Sequence, residues 1–328
     1  NITADANAWK ARNALGLGAS DAVFSLKNAG GIRASLGSVL SDGSKVAPLA
    51  NPITGKPAKG ISLLDIENAL RFDNKLMAFE TTPTGLLAIL NYAAGLSSGP
   101  SVQNGGYPQV GNIRFSYDST LPAGQKVRSA ALVNEAGHIT ARIVENGLVL
   151  PGAPATIQCV SVSFTANGGD GYPIKANADN FRYLLSDGTL STAIDEALDF
   201  TAAANVPVNV LGEQKAFSDY LVDRHSSLAT AYNVADTPVA LDTRIQQLAF
   251  RSSDTALSGP ATFGSWLATN GFSGNAGGDT DSDGVPDTLE YFFNSSPNSG
   301  GDRDNLPTVV MNGNDLEFRF TYLNSTVF

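Results

Sequence analysis

Cysteine and histidine are nearly absent from this chain of 328 residues. The one cysteine, Cys159, leaves no possibility of a disulfide within the chain. The two histidines, His138 and His225, lie far apart in sequence, and both are expected at the surface. A hydrolytic metal centre draws on several His and Asp ligands at once, so a self-sufficient metal hydrolase is not expected. Charge is scarce as well, at 16% of residues against about 25% in an ordinary domain. The 21 basic residues are outnumbered by 31 acidic ones, for a net charge of -10. Nucleic-acid backbones demand a basic footprint, so no nucleic-acid partner is expected. A single nucleotide needs only one or two local cations and is not excluded. No apolar run approaches the ~18 residues of a membrane span.

Hydrophobic residues make up 42% of the chain, enough for a sizeable core. The chain starts at Asn1 with no visible signal peptide, and is read as a processed or excised piece of something longer. Low charge, abundant small polar residues and few Met and Cys suit a secreted bacterial protein, periplasmic or at the cell surface.

Hydrophobic spacing predicts an alternation of helices and strands over the first 250 residues. Helices are expected at Ile2 to Leu15, Leu63 to Leu70, Thr84 to Ala94, Thr192 to Phe200 and Gln214 to His225. The second opens on Ser62-Leu63-Leu64-Asp65, a capping box. Strands are expected at Ala22 to Leu26, Lys75 to Thr81, Asn112 to Tyr117, Lys126 to Val133, Ile139 to Val144 and Ala155 to Phe164. A hairpin loop, Asn134 to Gly137, joins two of them. The fold class that follows is α+β, a mixed β-sheet flanked by helices. Residues 251–262 are small and polar, like a linker. A short helix-like piece (Phe263 to Thr269) and an acidic segment occupy 263–305. Residues 306–328, with strands at Thr308 to Met311 and Asp315 to Tyr322, read as the start of a truncated β-rich module.

Asp279-Thr280-Asp281-Ser282-Asp283-Gly284-Val285-Pro286-Asp287-Thr288-Leu289-Glu290 has oxygen-bearing residues at loop positions one, three, five, nine and twelve, and glycine at six. That is the spacing of an EF-hand calcium loop. Ca²⁺ takes six to eight oxygens, the glycine permits the sharp turn, and position seven contributes a carbonyl. The expected ligands are Asp279, Asp281, Asp283, the Val285 carbonyl, Asp287 (directly or through water) and Glu290 on an emerging helix, Thr288 to Phe293. The stretch before it, Gly271 to Gly278, is too glycine-rich for an entering helix. The segment therefore resembles the single calcium loops of dockerin and thrombospondin type 3 repeats, which implies a structural Ca²⁺.

Within the first 250 residues, several segments occur in a telling order: Asn1 to Ala6, Asn28-Ala29-Gly30-Gly31-Ile32-Arg33, Arg71-Phe72-Asp73-Asn74, Gly106 to Arg114, and Phe164 to Tyr172 (Phe-x-x-x-Gly-Gly-Asp-Gly-Tyr). Together they resemble the C-terminal domain of the 5'-nucleotidase family of metallophosphoesterases. Arg71 stands where that family usually has proline, and Ser163 where asparagine is common. The resemblance implies a nucleoside site built from Asn28, Arg33, Phe72, Asn74, Phe164, Gly169 and Asp170. The residue types suit that role. Two phenylalanines can sandwich a flat base, and an arginine fork can hold phosphate or ribose oxygens. Asn28 can meet a base edge, and Asp170 can accept from ribose hydroxyls. In the family, hydrolysis belongs to a di-metal N-terminal domain with Asp-x-His, Gly-Asn-His-Glu and Gly-His-x-His motifs, and none of these occurs here. The expected function is substrate recognition for a secreted 5'-nucleotidase-like phosphohydrolase. The competing expectation is a binding or structural segment of a large cell-surface protein.

Overall fold

The computed structural model describes residues 1–96, 104–232, 238–251, 253–258, 278–293, 308–312 and 315–319. Helix α1 (Ile2–Ala14) leads into strand β1 (Phe24–Asn28). A small hairpin, β2 (Ser38–Val39) and β3 (Lys45–Val46), precedes α2 (Leu63–Ala69). Strand β4 (Leu76–Thr81) runs directly into α3 (Pro83–Gly95). Then come β5 (Pro108–Gly111), β6 (Ile113–Tyr117), β7 (Val127–Val133), β8 (Ile139–Glu145), β9 (Leu148–Val149) and β10 (Ile157–Val162). The one-turn α4 (Ser163–Ala166), β11 (Ala178–Tyr183), α5 (Glu213–Arg224) and β12 (Ile245–Gln247) follow. Helix α6 (Asp287–Phe293) and the hairpin β13 (Thr308–Asn312) and β14 (Asp315–Arg319) lie beyond.

The alternation along β4 shows how the layers form. Leu76 and Ala78 point to one face, where they meet Val160, Val162, Leu184, Leu211, Ala11 of α1 and Ala216 of α5. Met77 and Phe79 point to the other, where they meet Phe24, Leu26, Phe115 and the α3 residues Leu86, Ile89 and Leu90. Successive side chains of a strand face opposite ways, so one sheet acquires two apolar coats. Each fully buried large side chain contributes about 1.5–3 kcal/mol.

Two mixed sheets result, in place of the one expected. Their orders are β11-β4-β10-β1-β5 and β12-β6-β7-β8-β9. The chain changes sheets at Asn112, between β5 and β6, where φ is 56°. Asparagine tolerates that left-handed conformation better than most residues. Arg244 then ties the layers: its guanidinium grips both Asp5 carboxylate oxygens at 2.6 and 3.0 Å and the Val110 carbonyl at 3.0 Å.

Several expectations need correction. Thr192 to Phe200 is not helical. Asp195 accepts from the Ala197 amide and Asp199 from the Thr201 amide, local bonds that compete with helix formation. The strand read over Ala155 to Phe164 stops at Val162, and Phe164 lies on α4. β11 escaped notice because its polar residues and a bulge between Asp179 and Arg182 break the alternation. Neither histidine is a free surface residue: both are half-buried, and His225 meets the edges of Tyr220 and Tyr232 at 5.4 and 5.7 Å. Residues 253–258 lie against the second sheet, with Ala256 fully buried and Leu257 packed on Ala131, Val133 and Ile139. Residues 252 and 259–262 of the linker, the piece read at Phe263 to Thr269, residues 271–277 and the end of the last strand at 320–322 lie outside the described residues. Among the described residues no helix is long and apolar enough to cross a membrane.

Two substitutions check this packing. Leu90, fully buried between the sheets, should cost about 2–5 kcal/mol as Leu90→Ala. Ser62 accepts from the Asp65 amide and its own amide donates back to Asp65, so Ser62→Ala should cost about 1 kcal/mol. Urea denaturation followed by circular dichroism measures both; equal costs would contradict the account.

Candidate nucleoside site

Strands β1 and β10 are parallel neighbours, paired Leu26 to Ser161. Their carboxyl ends therefore open on the same edge of the first sheet. β4 is antiparallel to β10, with Leu76 beside Val162, so the loop entering β4 arrives at that edge too. Three loops converge there: 28–33 after β1, 70–75 before β4, and 163–172 after β10.

The first loop is held by close backbone contact. The Gly30 amide donates to the Gly105 carbonyl at 2.6 Å. A Cβ on Gly30 would stand 3.1 Å from that oxygen and 3.2 Å from the Gly105 Cα, so a side chain there would have to push the Gly105 backbone back by a few tenths of an ångström. Asn28, 6% exposed, donates through Nδ2 to the Asp170 carboxylate at 2.7 Å. Arg33 donates to the Gly30 carbonyl at 3.2 Å, and its guanidinium carbon lies 5.9 Å from the centre of the Phe72 ring. That distance is within cation–π range.

The third loop is shaped by glycine and tyrosine. Phe164 rests on Gly169, where a Cβ would come within 2.5 Å of the ring. Asp170 itself sits at φ 54°, an uncommon conformation for a residue with a side chain. It is fixed from two sides, by Asn28 at its carboxylate and by the Tyr92 hydroxyl, which donates to its carbonyl at 2.6 Å. Tyr172 donates to the Gly106 carbonyl at 2.8 Å. Burial, with Asp170 nearby, pushes the Tyr172 phenol well up, so it remains a donor. Phe72 is 60% exposed and Phe164 37% exposed, so both rings present apolar surface at this edge.

Six of the seven expected site residues thus gather around loop 28–33. Asn74 is directed elsewhere. Its backbone N–H and Nδ2 both donate to Glu213 Oε1, at 3.3 and 3.0 Å. The other oxygen of Glu213 takes the Lys27 ammonium, and both charged side chains are fully buried. Lys27, Glu213, Tyr92 and Gly105 were not anticipated. Lys27 left no signal, because the strand read from the sequence ended at Leu26; in the structure β1 runs on to Asn28 and the ammonium inside it needs a partner.

In the acidic segment, Asp279, Asp281 and Asp283 each present a carboxylate oxygen within 4.8 Å of the others. Gly284 adopts φ 90°, as the sixth loop position requires. The Gly284 amide donates to Asp279 at 2.9 Å and the Val285 amide to Asp283 at 2.8 Å. Asp281 Oδ2 is buried and accepts no hydrogen bond, and Glu290 is 1% exposed. Thr280 donates to both oxygens of Asp287, from the amide at 2.9 Å and the hydroxyl at 2.8 Å.

Residues 1–177 match the model of the 5'-nucleotidase C-terminal domain. Among solved structures, the chain is similar to a 5'-nucleotidase precursor from Thermus thermophilus, with 22% identity and a TM-score of 0.44, over 75% of this chain and 34% of that one. It is also similar to the NAD nucleotidase of Haemophilus influenzae, with 16% identity and a TM-score of 0.43, over 76% of this chain and 33% of that one. The chain thus spans about a third of the length of these proteins. No curated protein matches it.

The tightest contact in the third loop supplies a test. Gly171 adopts φ 80°, and a Cβ there would stand 2.1 Å from the Tyr92 hydroxyl. Gly171→Ala should strain the backbone and break the Tyr92–Asp170 bond, costing more than about 1 kcal/mol. Thermal melting should show the loss. An unchanged melt would mean that the loop is not held through Tyr92.

Proposed function

The chain belongs to the family of 5'-nucleotidase C-terminal domains, and on that premise we propose that it recognises the nucleoside part of a nucleotide for a phosphohydrolase. The observation that carries this reading is the Asn28–Asp170 bond, which joins two loops far apart in sequence at a sheet edge whose loops also carry the exposed Phe72 and Phe164. An exposed aromatic face offers a base about 1–3 kcal/mol of stacking. Asp170 keeps acceptor capacity for ribose hydroxyls after the Asn28 bond. Arg33, next to Phe72, supplies a planar cationic fork for phosphate or ribose oxygens.

Hydrolysis is assigned to a separate di-metal domain of the parent enzyme. Two histidines and the acidic cluster at 279–283 do not make a two-metal centre. An extracellular or periplasmic location suits both the composition and this role. A second reading, a binding or structural segment of a cell-surface protein, draws on the acidic loop and the β13–β14 hairpin.

The acidic loop is proposed to hold one structural Ca²⁺. Three carboxylates gathered within 4.8 Å, and a buried Asp281 oxygen with no hydrogen bond, suit a hard cation. Asp279, Asp281 and Asp283 would hold it with the Val285 carbonyl and Glu290, while Asp287 acts through Thr280 or a water. Bound Ca²⁺ would neutralise the repulsion among the carboxylates.

Calorimetry and nucleoside titration test these proposals. Adenosine or a related nucleoside should bind weakly, and Phe164→Ala should weaken binding about 5- to 150-fold. Asp170→Ala should reduce discrimination between ribose and deoxyribose nucleosides. Phosphate release from AMP by this chain with added divalent metal would contradict the assignment of hydrolysis elsewhere; an unchanged Phe164→Ala titration would favour the structural reading. Chelation should increase proteolytic cutting within 278–293, and Glu290→Ala should abolish the heat of millimolar Ca²⁺ binding. Identical heats in the variant would reduce the loop to an acidic turn.

A further inference from the structure

The buried pair Lys27–Glu213 is the feature that nucleoside recognition, as described, leaves unused. Both side chains are fully buried. A pair of charges taken out of water is not justified by stability alone, since apolar replacements of similar volume are often as stable. Its position is more informative than its energy. Lys27 precedes Asn28, the residue that bonds Asp170. Glu213 opens α5 and accepts twice from Asn74, two residues beyond Phe72. The Asn74 carbonyl takes the Glu213 amide at 2.9 Å. Its neighbour Gln214 adds two more bonds to the same loop, from its amide to Asp73 at 3.2 Å and from Nε2 to the Leu70 carbonyl at 2.9 Å. The Phe72 loop is therefore fastened to the start of α5, and α5 is fastened through Glu213 to the strand that carries Asn28.

We propose that Lys27, Glu213 and Asn74 form a positioning relay that fixes the Phe72 side of the nucleoside site relative to the Asn28–Asp170 side, with Asn74 acting through Glu213 and not as a contact to the base. This rests on the nucleoside reading for its functional consequence, but the relay itself can be tested without ligand. Three donors, the Lys27 ammonium and the two N–H groups of Asn74, share two carboxylate oxygens. A glutamine at 213 has one oxygen and a donor. The ammonium keeps that oxygen, and Asn74 faces an N–H it cannot use. Removing the ammonium as well, in Lys27→Met with Glu213→Gln, frees the oxygen to return to Asn74.

The test uses the full chain and reads amide hydrogen exchange first, then adenosine titration. Glu213→Gln should speed exchange of the Asn74 amide at least tenfold while Val160, in the middle of β10, stays as in the wild type. The Lys27→Met, Glu213→Gln double variant should return Asn74 to within about threefold of the wild-type rate. Adenosine affinity should fall in Glu213→Gln to that of Phe72→Ala, with no further loss when Phe72→Ala is added, and recover in the double variant. Exchange rising equally at Asn74 and Val160, or no recovery in the double variant, would make the pair a general stability element and overturn the proposal. Failure of both variants to fold would do the same. Exchange behaving as expected while adenosine affinity never changes, or is absent throughout, would leave the relay standing and overturn the role of Phe72 in base binding instead.

Discussion

Strands β1 and β10 run side by side in the same direction, and the candidate site exists because they do. Loops at the carboxyl ends of neighbouring parallel strands leave a sheet on one edge, where open α/β sheets commonly bind ligands. The Ser161 hydroxyl donates to the Leu26 carbonyl at 2.7 Å, locking the register two residues before β1 ends. One residue of slip would turn Lys27 to the side now taken by Asn28 and reverse every apolar contact of the strand. The Asn28–Asp170 bond, the Gly30–Gly105 contact and the seat of Phe164 on Gly169 all follow from that register.

Local chemistry was the part most legible in the sequence. The capping box at Ser62 and Asp65, the hairpin turn at Asn134 to Gly137 and the buried strand faces of β4 and β7 depend on residues a few positions apart, and all are present. Long-range choices were harder to read. The switch of sheets at Asn112 rests on one left-handed residue. The false helix at Thr192 to Phe200 had helical spacing, but Asp195 and Asp199 bond their own backbone instead. In the site, residues 28, 33, 72, 164, 169 and 170 fall in three short segments that the sheet topology brings to one edge. The partner of Asn74 was not legible, since Glu213 lies 139 positions away and belongs to no motif.

The acidic loop is governed by different physics from the first domain. Carboxylates crowded within 4.8 Å repel one another unless amides or a cation neutralise them. Backbone amides of Asp283, Gly284 and Val285 already donate to three of them.

The central claim is that one edge of the first sheet, where three loops meet, binds a nucleoside. Amide hydrogen exchange of the whole chain, with and without saturating adenosine, tests it most directly. The account predicts protection in residues 28–33, 70–74 and 164–171 together, with residues 278–293 unchanged. Protection elsewhere, for instance between residues 54–63 and 218–232 where an open groove lies, or no protection at any of the three loops, would contradict it.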